Sequence, residues 1–169
     1  MRFLFLTCLF VSLFSCNEST NVIHEKLFVY SNKNGAKEDP ENKGHYFFRH
    51  DSINTYGFID TIRFTEEQLS NKIILDYKGN IRTDHVHSFG SLKVVLFRDN
   101  EPIHWSGILL RDEVIDLNKW NQFSGYFVLP SRTHERQYNK AVVFTELAEG
   151  KSEKFDIDSV EITFKSVAK

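Results

Sequence analysis

The last apolar segment of the chain, residues 154–164, alternates apolar and polar side chains with the two-residue period of a half-buried strand. The phase of this alternation changes midway. The apolar positions are odd-numbered before the change and even-numbered after it: Phe155 and Ile157, then Val160, Ile162 and Phe164. Because a regular strand cannot bury both sets on one face, the pattern predicts a β-bulge near residues 158–159.

Shorter segments of the same character precede this closing strand. The pattern predicts strands at 46–50, 56–64, 72–78, 92–98, 103–110, 120–130 and 141–147. Gly79-Asn80 and 99–102 are predicted as turns, and Thr65 to Gln68 has the spacing of a capping box that starts a single helical turn. Several short strands without a long helical period predict an all-β sandwich or barrel.

The chain begins with a positive residue followed by an apolar run that ends at Cys16. The run is shorter than the roughly 20 apolar residues that span a bilayer, and it fits a secretory signal peptide. Its end, Leu13-Phe14-Ser15-Cys16, resembles the bacterial lipobox. That resemblance implies a diacylglycerol thioether on Cys16 and membrane anchoring in the cell envelope, on the periplasmic or cell-surface side. The alternatives are an ordinary signal peptide with an incidental cysteine, or a buried N-terminal helix.

This interpretation divides the chain into three parts. Residues 1–15 are expected to be a lipoprotein signal peptide, and 16–43 an acylated N-terminus with a mostly flexible tether. Residues 32–44 contain almost no apolar side chain, which is typical of a tether or of a long exposed loop. Within that part, 27–30 form a candidate first strand. Residues 44–169 form the β-sandwich domain.

Charge and cysteine content narrow the function classes. The chain has 21 basic and 23 acidic residues, a formal net charge of −2, and no basic block. This argues against a nucleic-acid partner and against a polybasic membrane surface. Cys8 would leave with the signal peptide and Cys16 would be acylated, so the expected mature domain has no disulfide.

The succession of segments 120–130, 140–144 and 155–162 resembles the closing half of galactose-binding-like jelly rolls, the superfamily of many carbohydrate-binding modules. The resemblance covers about residues 56–165. It implies an antiparallel β-sandwich of jelly-roll topology that binds a glycan without catalysing a reaction. The chain departs from the family pattern at Ser159, where many modules have a second acid, and at Phe144-Thr145, where many have a Trp-Asn pair.

Two sets of side chains are candidate metal ligands. Asp156 and Asp158 lie beside the predicted bulge, carboxylate oxygens suit Ca²⁺, and the resemblance implies a structural calcium ion near this strand. The alternative is that both are solvent-facing acids that keep the strand soluble. His85 and His87 would share one face of a strand, with His104 further along, which would offer two imidazoles to a metal unless the pair is a chance occurrence.

Aromatic and basic side chains are the candidate glycan ligands. Flat rings stack on the apolar faces of sugars, and Arg or His side chains bind hydroxyl groups. The candidates are Trp105, Trp120, Tyr126 and Tyr138, together with Arg132, His134 and Arg136. The alternative is core packing, with Trp120 at the start of a strand packing on the edge of the sandwich.

The chain contains no nucleophile elbow, His-Glu-x-x-His motif, P-loop or dinucleotide-binding fingerprint. An enzyme is therefore not expected. The two resemblances make a lipid-anchored envelope protein that binds a glycan the leading hypothesis. The alternative is a structural or assembly lipoprotein that docks onto another envelope protein, with a hydrolase as a third hypothesis. An exposed aromatic platform would favour the first, and a broad apolar patch without one would favour the second.

Overall fold

A computed structural model describes residues 20–29, 36–85, 90–130, 137–148 and 153–168. Within these residues the chain forms ten strands, one α-helix and one 3-10 helix. The strands are β1 (Thr20–Phe28), β2 (Lys37–Asp39), β3 (Asn42–His50), β4 (Tyr56–Arg63), β5 (Lys72–Thr83), β6 (Gly90–Arg98), β7 (Glu101–Leu109), β8 (Asn121–Val128), β9 (Lys140–Leu147) and β10 (Phe155–Val167). The helices are α1 (Glu66–Ser70) and a 3-10 turn (Leu110–Glu113).

The strands form two antiparallel sheets with a nested pairing order. One sheet has the order β2-β3-β10-β5-β8, with β1 also paired to β10, and the other has the order β4-β9-β6-β7. From β3 onward, the first strand pairs with the last: β3 with β10, β4 with β9, β5 with β8 and β6 with β7. This nesting is the topology of a jelly roll. The predicted antiparallel β-sandwich with jelly-roll topology is confirmed.

The core lies between the two sheets, where the alternating apolar side chains of both inner faces meet. Its fully buried members include Leu75, Phe123 and Ile157 from the six-stranded sheet, and Leu92 and Val143 from the four-stranded sheet. The opposite parity of each strand points to an outer face, so the outer faces are where polar chemistry and exposed rings are found.

The predicted bulge in β10 is confirmed. Asp158 pairs with Asn80, and Glu161 pairs with Lys78. Two residues of β10, Ser159 and Val160, therefore lie opposite one residue of β5, Gly79. Ser159 has a positive φ of 49°. The extra residue lets the odd-numbered and the even-numbered apolar side chains of β10 all reach the same core.

The predicted turn at Gly79-Asn80 is wrong, because β5 continues without a break to Thr83. Gly79 is the residue opposite the bulge. A Cβ on Gly79 would lie 2.7 Å from Phe123 Cζ and 3.3 Å from Val160 Cγ2. A glycine is therefore needed here for close packing inside a strand, not for a change of chain direction.

Part of the predicted tether over residues 16–43 is sheet. β1 pairs with the second half of β10, from Thr20 opposite Val167 to Phe28 opposite Val160, and β2 pairs with β3. On that side β10 pairs with β3 only as far as Ile157, so its second half offers a free edge that β1 occupies. The proposed signal peptide and Cys16 lie outside the described residues.

Within the described ranges, helical structure is confined to the connections between strands. The predicted capping box is confirmed: Gln68 N–H donates to Thr65 Oγ1 at 3.3 Å, and Thr65 N–H donates to Gln68 Oε1 at 2.9 Å. In the described part of the chain, no helix has both the length and the apolar character that crossing a bilayer requires.

Candidate functional site

The outer face of the four-stranded sheet carries an exposed tryptophan. Trp105 of β7 pairs with Val95 of β6, and Val95 pairs in turn with Val142 of β9. Val95 is 1% exposed, whereas Trp105 at the edge of the sheet is 59% exposed. The indole is therefore on the outer face, in register with an apolar row on the neighbouring strands, and remains accessible to solvent.

A trough lies beside this indole. Gly107 is the next residue of β7 on the same face, and Leu109, 38% exposed, is the one after it. A Cβ on Gly107 would lie 2.9 Å from the Leu92 carbonyl oxygen, so the backbone of β6 approaches too closely for a larger residue. Trp105 and Leu109 thus flank a gap that no side chain fills, with Lys93 and Ser91 among its lining residues.

Charged and polar groups lie next to the trough. Lys93 is opposite Gly107 in the β6–β7 register, and its ammonium group forms an ion pair with the carboxylate of Glu146. The Ser91 hydroxyl donates to the Glu146 backbone carbonyl at 3.4 Å. A flat ring, a trough and a cation–anion pair are therefore contiguous on this face. We call the surface formed by Trp105, Gly107, Leu109, Lys93 and Glu146 the Trp105 face.

Apolar side chains extend the same outer face towards β4. Tyr56 is 54% exposed and Ile59 is 57% exposed. The Tyr56 ring lies 5.9 Å from that of Phe144, centroid to centroid, and Ile59 is opposite Phe144 in the β4–β9 register. The outer face therefore combines the trough at β7 with an apolar margin at β4.

Trp120 directly precedes β8 of the other sheet and is part of a packed cluster. It is half-buried, its Nε1–H donates to Asp39 Oδ2 at 3.1 Å, and the Arg82 guanidinium carbon lies 4.6 Å from its ring centroid. Its ring also contacts that of buried Phe47 edge-on at 5.9 Å. These contacts agree with the alternative in which Trp120 packs at the edge of the sandwich.

Tyr126 lies on β8 and is 67% exposed on the outer face of the six-stranded sheet. It lines a groove together with Asp76 and Lys165, whose side chains form an ion pair across β5 and β10. Trp105 and Tyr126 are therefore on opposite faces of the sandwich and do not form one platform. Tyr138 is 3% exposed and packs edge-on against Phe64 at 5.9 Å.

The remaining predicted glycan ligands, Arg132, His134 and Arg136, lie outside the described residues.

Asp156 is 4% exposed, so the solvent-facing interpretation of this acid is wrong. Its oxygens accept from Arg49 Nε at 2.6 Å and Nη2 at 2.8 Å, and from Arg82 Nη2 at 3.0 Å. The hydrogen bond to Asp156 raises the pKa of Arg49 above its ordinary value. Two guanidinium groups thus neutralise one buried carboxylate on the outer face of the six-stranded sheet.

Asp158 is 3% exposed and is likewise not solvent-facing. Its Oδ2 accepts from His45 Nε2 at 2.8 Å and from the Ser159 hydroxyl at 2.7 Å. The other ring nitrogen of His45 lies 3.6 Å from Asp39 Oδ2. Burial alone would raise the pKa of Asp39, but hydrogen bonds from Trp120 and the Glu41 backbone together with the charge of Arg82 lower it overall.

The geometry around the two acids of β10 does not match the calcium hypothesis. Calcium needs several converging oxygen ligands, whereas Asp156 and Asp158 are surrounded by N–H donors of Arg49, Arg82 and His45. Among the residues that the structure describes, no group of three or more His, Cys, Asp or Glu side chains is arranged to hold a metal ion.

The histidine pair is not assembled into a site within the described residues. His85 is exposed in the loop after β5, where its backbone N–H donates to Thr83 Oγ1 at 3.2 Å. His104 lies on β7 in the other sheet, opposite Leu96. His87 lies outside the described residues, so its prediction stays a prediction.

The sequence reasoning missed the partners of the predicted site residues. Lys93, Gly107 and Glu146 around Trp105 come from three different strands, and their proximity depends on the register. One signal was present, because Trp105, Gly107 and Leu109 alternate on one face of a strand with a gap at the glycine. Arg49 and Arg82 were missed because each lies opposite Asp156 only once β3, β10 and β5 are paired.

Comparisons with known proteins show likeness in structure and none in sequence. No protein family and no curated protein sequence matches the chain. Infectious bursal disease virus VP2, in a subviral particle, is 9% identical with a TM-score of 0.48, over 86% of this chain but only 33% of the viral chain. This chain therefore spans about a third of the viral protein.

Two further solved structures illustrate the range of proteins that are similar to this one. A carbohydrate-binding module, CBM4, is 14% identical with a TM-score of 0.42, over 85% of this chain and 86% of the module. A cyclase from Fischerella sp. TAU is 12% identical with a TM-score of 0.43, over 86% of this chain and 76% of the cyclase. At these identities and TM-scores, the likeness assigns neither a ligand nor an activity to the chain.

Proposed function

We propose that this protein binds a glycan through the Trp105 face and does so without catalysis. The observation that carries the proposal is the exposed indole of Trp105, at 59%, beside the trough over Gly107. A sugar ring presents apolar C–H groups on one face and hydroxyl groups around its edge. The indole can stack on the C–H groups, and the Lys93–Glu146 pair offers a cation and an anion to the hydroxyl groups.

The exposure of the indole is itself informative. A tryptophan that stabilises a fold has most of its ring covered, whereas Trp105 lies at the edge of its sheet and is mostly exposed. Gly107 lies close against the backbone of β6, and both residues that flank it, Trp105 and Leu109, are also on β7. The trough is therefore formed by paired strands and not by a loop. A site on paired strands is geometrically well defined, which favours selective binding of a rigid ligand.

The test is a glycan array carrying β-glucans, mannans, xylans and peptidoglycan fragments, probed with the full chain in mild detergent. Trp105→Ala should abolish the strongest signal and leave the melting temperature nearly unchanged. The matched control is Tyr126→Ala, which removes a ring of similar exposure from the opposite sheet and should leave binding intact. Equal loss in both aromatic variants, or unchanged binding in Trp105→Ala, would contradict the site.

We also propose that the protein is held at a bacterial envelope membrane by acylation of Cys16. The proposal is supported by the lipobox-like sequence Leu13-Phe14-Ser15-Cys16 at the end of an apolar run. Metabolic labelling with a radioactive fatty acid should mark the parent chain and not the Cys16→Ala variant. Label retained by that variant would disprove anchoring at this cysteine.

A second candidate function is docking onto another envelope protein, as expected of a structural or assembly lipoprotein. It is favoured by the exposure of Tyr56 and Ile59 on the apolar margin, since an aliphatic side chain such as Ile59 does not stack on sugars. Ile59→Ser should then abolish cross-linking of the protein to a neighbour in intact cells, while Trp105→Ala retains it. The converse result, together with a positive array, favours the glycan-binding function.

A further inference from the structure

We propose that the sandwich is held directly against the bilayer with one defined end facing it, so that the Trp105 face is presented sideways. This inference rests on the proposed acylation of Cys16 and adds the orientation of the domain. The membrane-facing end, here called the proximal end, comprises the start of β1, helix α1 and the β6–β7 turn.

The first step is the length of chain between the anchor and the fold. β1 begins at Thr20, only four residues after Cys16. Even a fully extended chain of four residues spans at most about 14 Å. The start of β1 must therefore stay within that distance of an acylated Cys16, whatever conformation the connecting residues adopt.

The second step is that β1 is firmly part of the domain. It pairs along its length with β10, beginning with Thr20 opposite Val167. It is also connected to the other sheet, because His24 Nε2 lies 2.7 Å from Asp60 Oδ2 and Lys26 Nζ lies 3.2 Å from Asp60 Oδ1. Asp60 is 5% exposed, so this contact closes the edge of the sandwich. Thr20 therefore moves with the domain, and its distance from the anchor limits how far this end of the domain can lie from the bilayer.

The third step identifies the end that faces the bilayer. Val167, the partner of Thr20, also pairs with Lys72 at the start of β5, directly after α1. The opposite end contains Thr83 at the other end of β5 and the loop that carries Lys119. The 12 residues of β5 separate the two ends by about 40 Å. Trp105 is in the middle of β7, so its face is parallel to the long axis of the domain.

The proximal end has a surface suited to lipid headgroups. Its exposed side chains are mostly charged, with both signs present, and they include the apolar Val22 of β1. The charged ones are Arg63, Lys72 and Arg98, with Glu66, Glu67 and Glu101. Such a surface lies among headgroups without inserting into the hydrocarbon, and it leaves membrane attachment to the acyl chains.

The experiment places one dye at each end of the full chain. Glu67→Cys and Lys119→Cys variants are labelled with a maleimide dye and reconstituted in phosphatidylcholine vesicles that carry a short-range nitroxide quencher on their headgroups. We expect quenching at position 67 and none at position 119. Inserting twelve Gly-Ser residues before Thr20 adds about 20 Å of reach and should abolish the difference.

The parent chain without an added cysteine is the control for the anchor. Peptide mapping locates any dye in the parent chain, because an uncleaved chain would also carry Cys8. Dye on Cys16 would reveal a free thiol there and would overturn the anchor together with this inference. An unlabelled parent combined with equal quenching at positions 67 and 119 would overturn the orientation alone. Stronger quenching at position 119 would show that the opposite end faces the bilayer, and would overturn it as well.

Discussion

The ring of Phe123 fills the space in which a side chain on Gly79 would lie. Phe123 Cζ is 2.7 Å from the position of a Cβ built on Gly79, and Phe123 itself is fully buried. Gly79 pairs with Phe123 across β5 and β8 and also lies opposite the bulge of β10. One glycine thus lets three adjacent strands pack closely at the point where their register changes.

Gly79→Ala should lower the free energy of unfolding by about 1–3 kcal/mol, because the added methyl group overpacks a core that cannot move aside. Urea denaturation measures the change. Ser124→Ala, on the exposed face of neighbouring β8, is the control and should remain within about 0.5 kcal/mol of the parent. A Gly79→Ala variant as stable as its parent would mean that Phe123 repacks without strain.

Deleting Ser159 should prevent stable folding, although it would make the apolar–polar alternation in the sequence of β10 regular. Asn80 and Lys78 of β5 are paired to the bulged strand, so a deletion moves one half of β10 to the wrong face. Ser159→Gly keeps the residue and suits its positive φ of 49°, so that variant should melt close to the parent temperature. Thermal melts followed by circular dichroism compare the two, and a stable deletion variant would refute the register.

Trp120→Ala should destabilise the protein much more than Trp105→Ala. The Trp120 ring contacts Phe47 and Arg82 and its Nε1–H donates to Asp39, so its removal should cost about 3 kcal/mol. Trp105 is 59% exposed and should be tolerated. Differential scanning calorimetry measures the loss of stability in both variants. A larger loss in Trp105→Ala than in Trp120→Ala would show that the Trp105 ring is needed for packing.

Arg82→Met should destabilise the protein by about 3 kcal/mol, because it leaves buried Asp39 and Asp156 with less compensation. The matched control is Arg98→Met. Arg98 pairs with Glu101 at 3.3 Å, but both side chains are exposed, so this change should cost less than about 1 kcal/mol. If chemical denaturation gives equal losses for the two variants, the buried network contributes no more than a surface ion pair.

His50 should make the protein less stable in mild acid. Its ring is buried and stacked on Phe155, its Nδ1–H donates to the Thr55 carbonyl at 3.1 Å, and Nε2 lies 3.0 Å from the Thr145 hydroxyl. Burial lowers the pKa of His50 to about 4, whereas the unfolded chain titrates near the ordinary value of 6.5. The unfolded state therefore binds a proton first as the pH falls.

The neutral, buried His50 therefore contributes to the free energy of unfolding fully above pH 6.5, and this contribution is lost as the pH falls towards 4. The total loss is about 3 kcal/mol. Denaturation of the parent and of His50→Gln at pH 7, 5.5 and 4 isolates this contribution from that of the carboxylates. The parent should lose more stability than the variant over this range. Parallel losses in the two proteins would show that His50 is already charged in the folded state.

Local pattern was enough to predict much of this fold. The shift from Ile157 to Val160 in the alternation located the bulge, since burial on one face of a strand permits only one parity. Thr65 and Gln68 located the start of α1, because a capping box is formed by residues three apart in the chain. The segments that became β8, β9 and β10 were recognisable for the same reason: each carries its own two-residue period.

Features that depend on strand pairing were decided only by the tertiary structure. Asp156 alternates like an exposed acid, and it is buried because pairing brings Arg49 and Arg82 from neighbouring strands beside it. Parity places Trp105 and Tyr126 away from the core, but sheet order determines that they lie on opposite faces of the molecule. The sequence by itself therefore determined which residues turn inward and where β10 is interrupted, because these follow from local periodicity. Only the tertiary structure decided which groups meet, because contacts between strands depend on a register that distant parts of the chain set together.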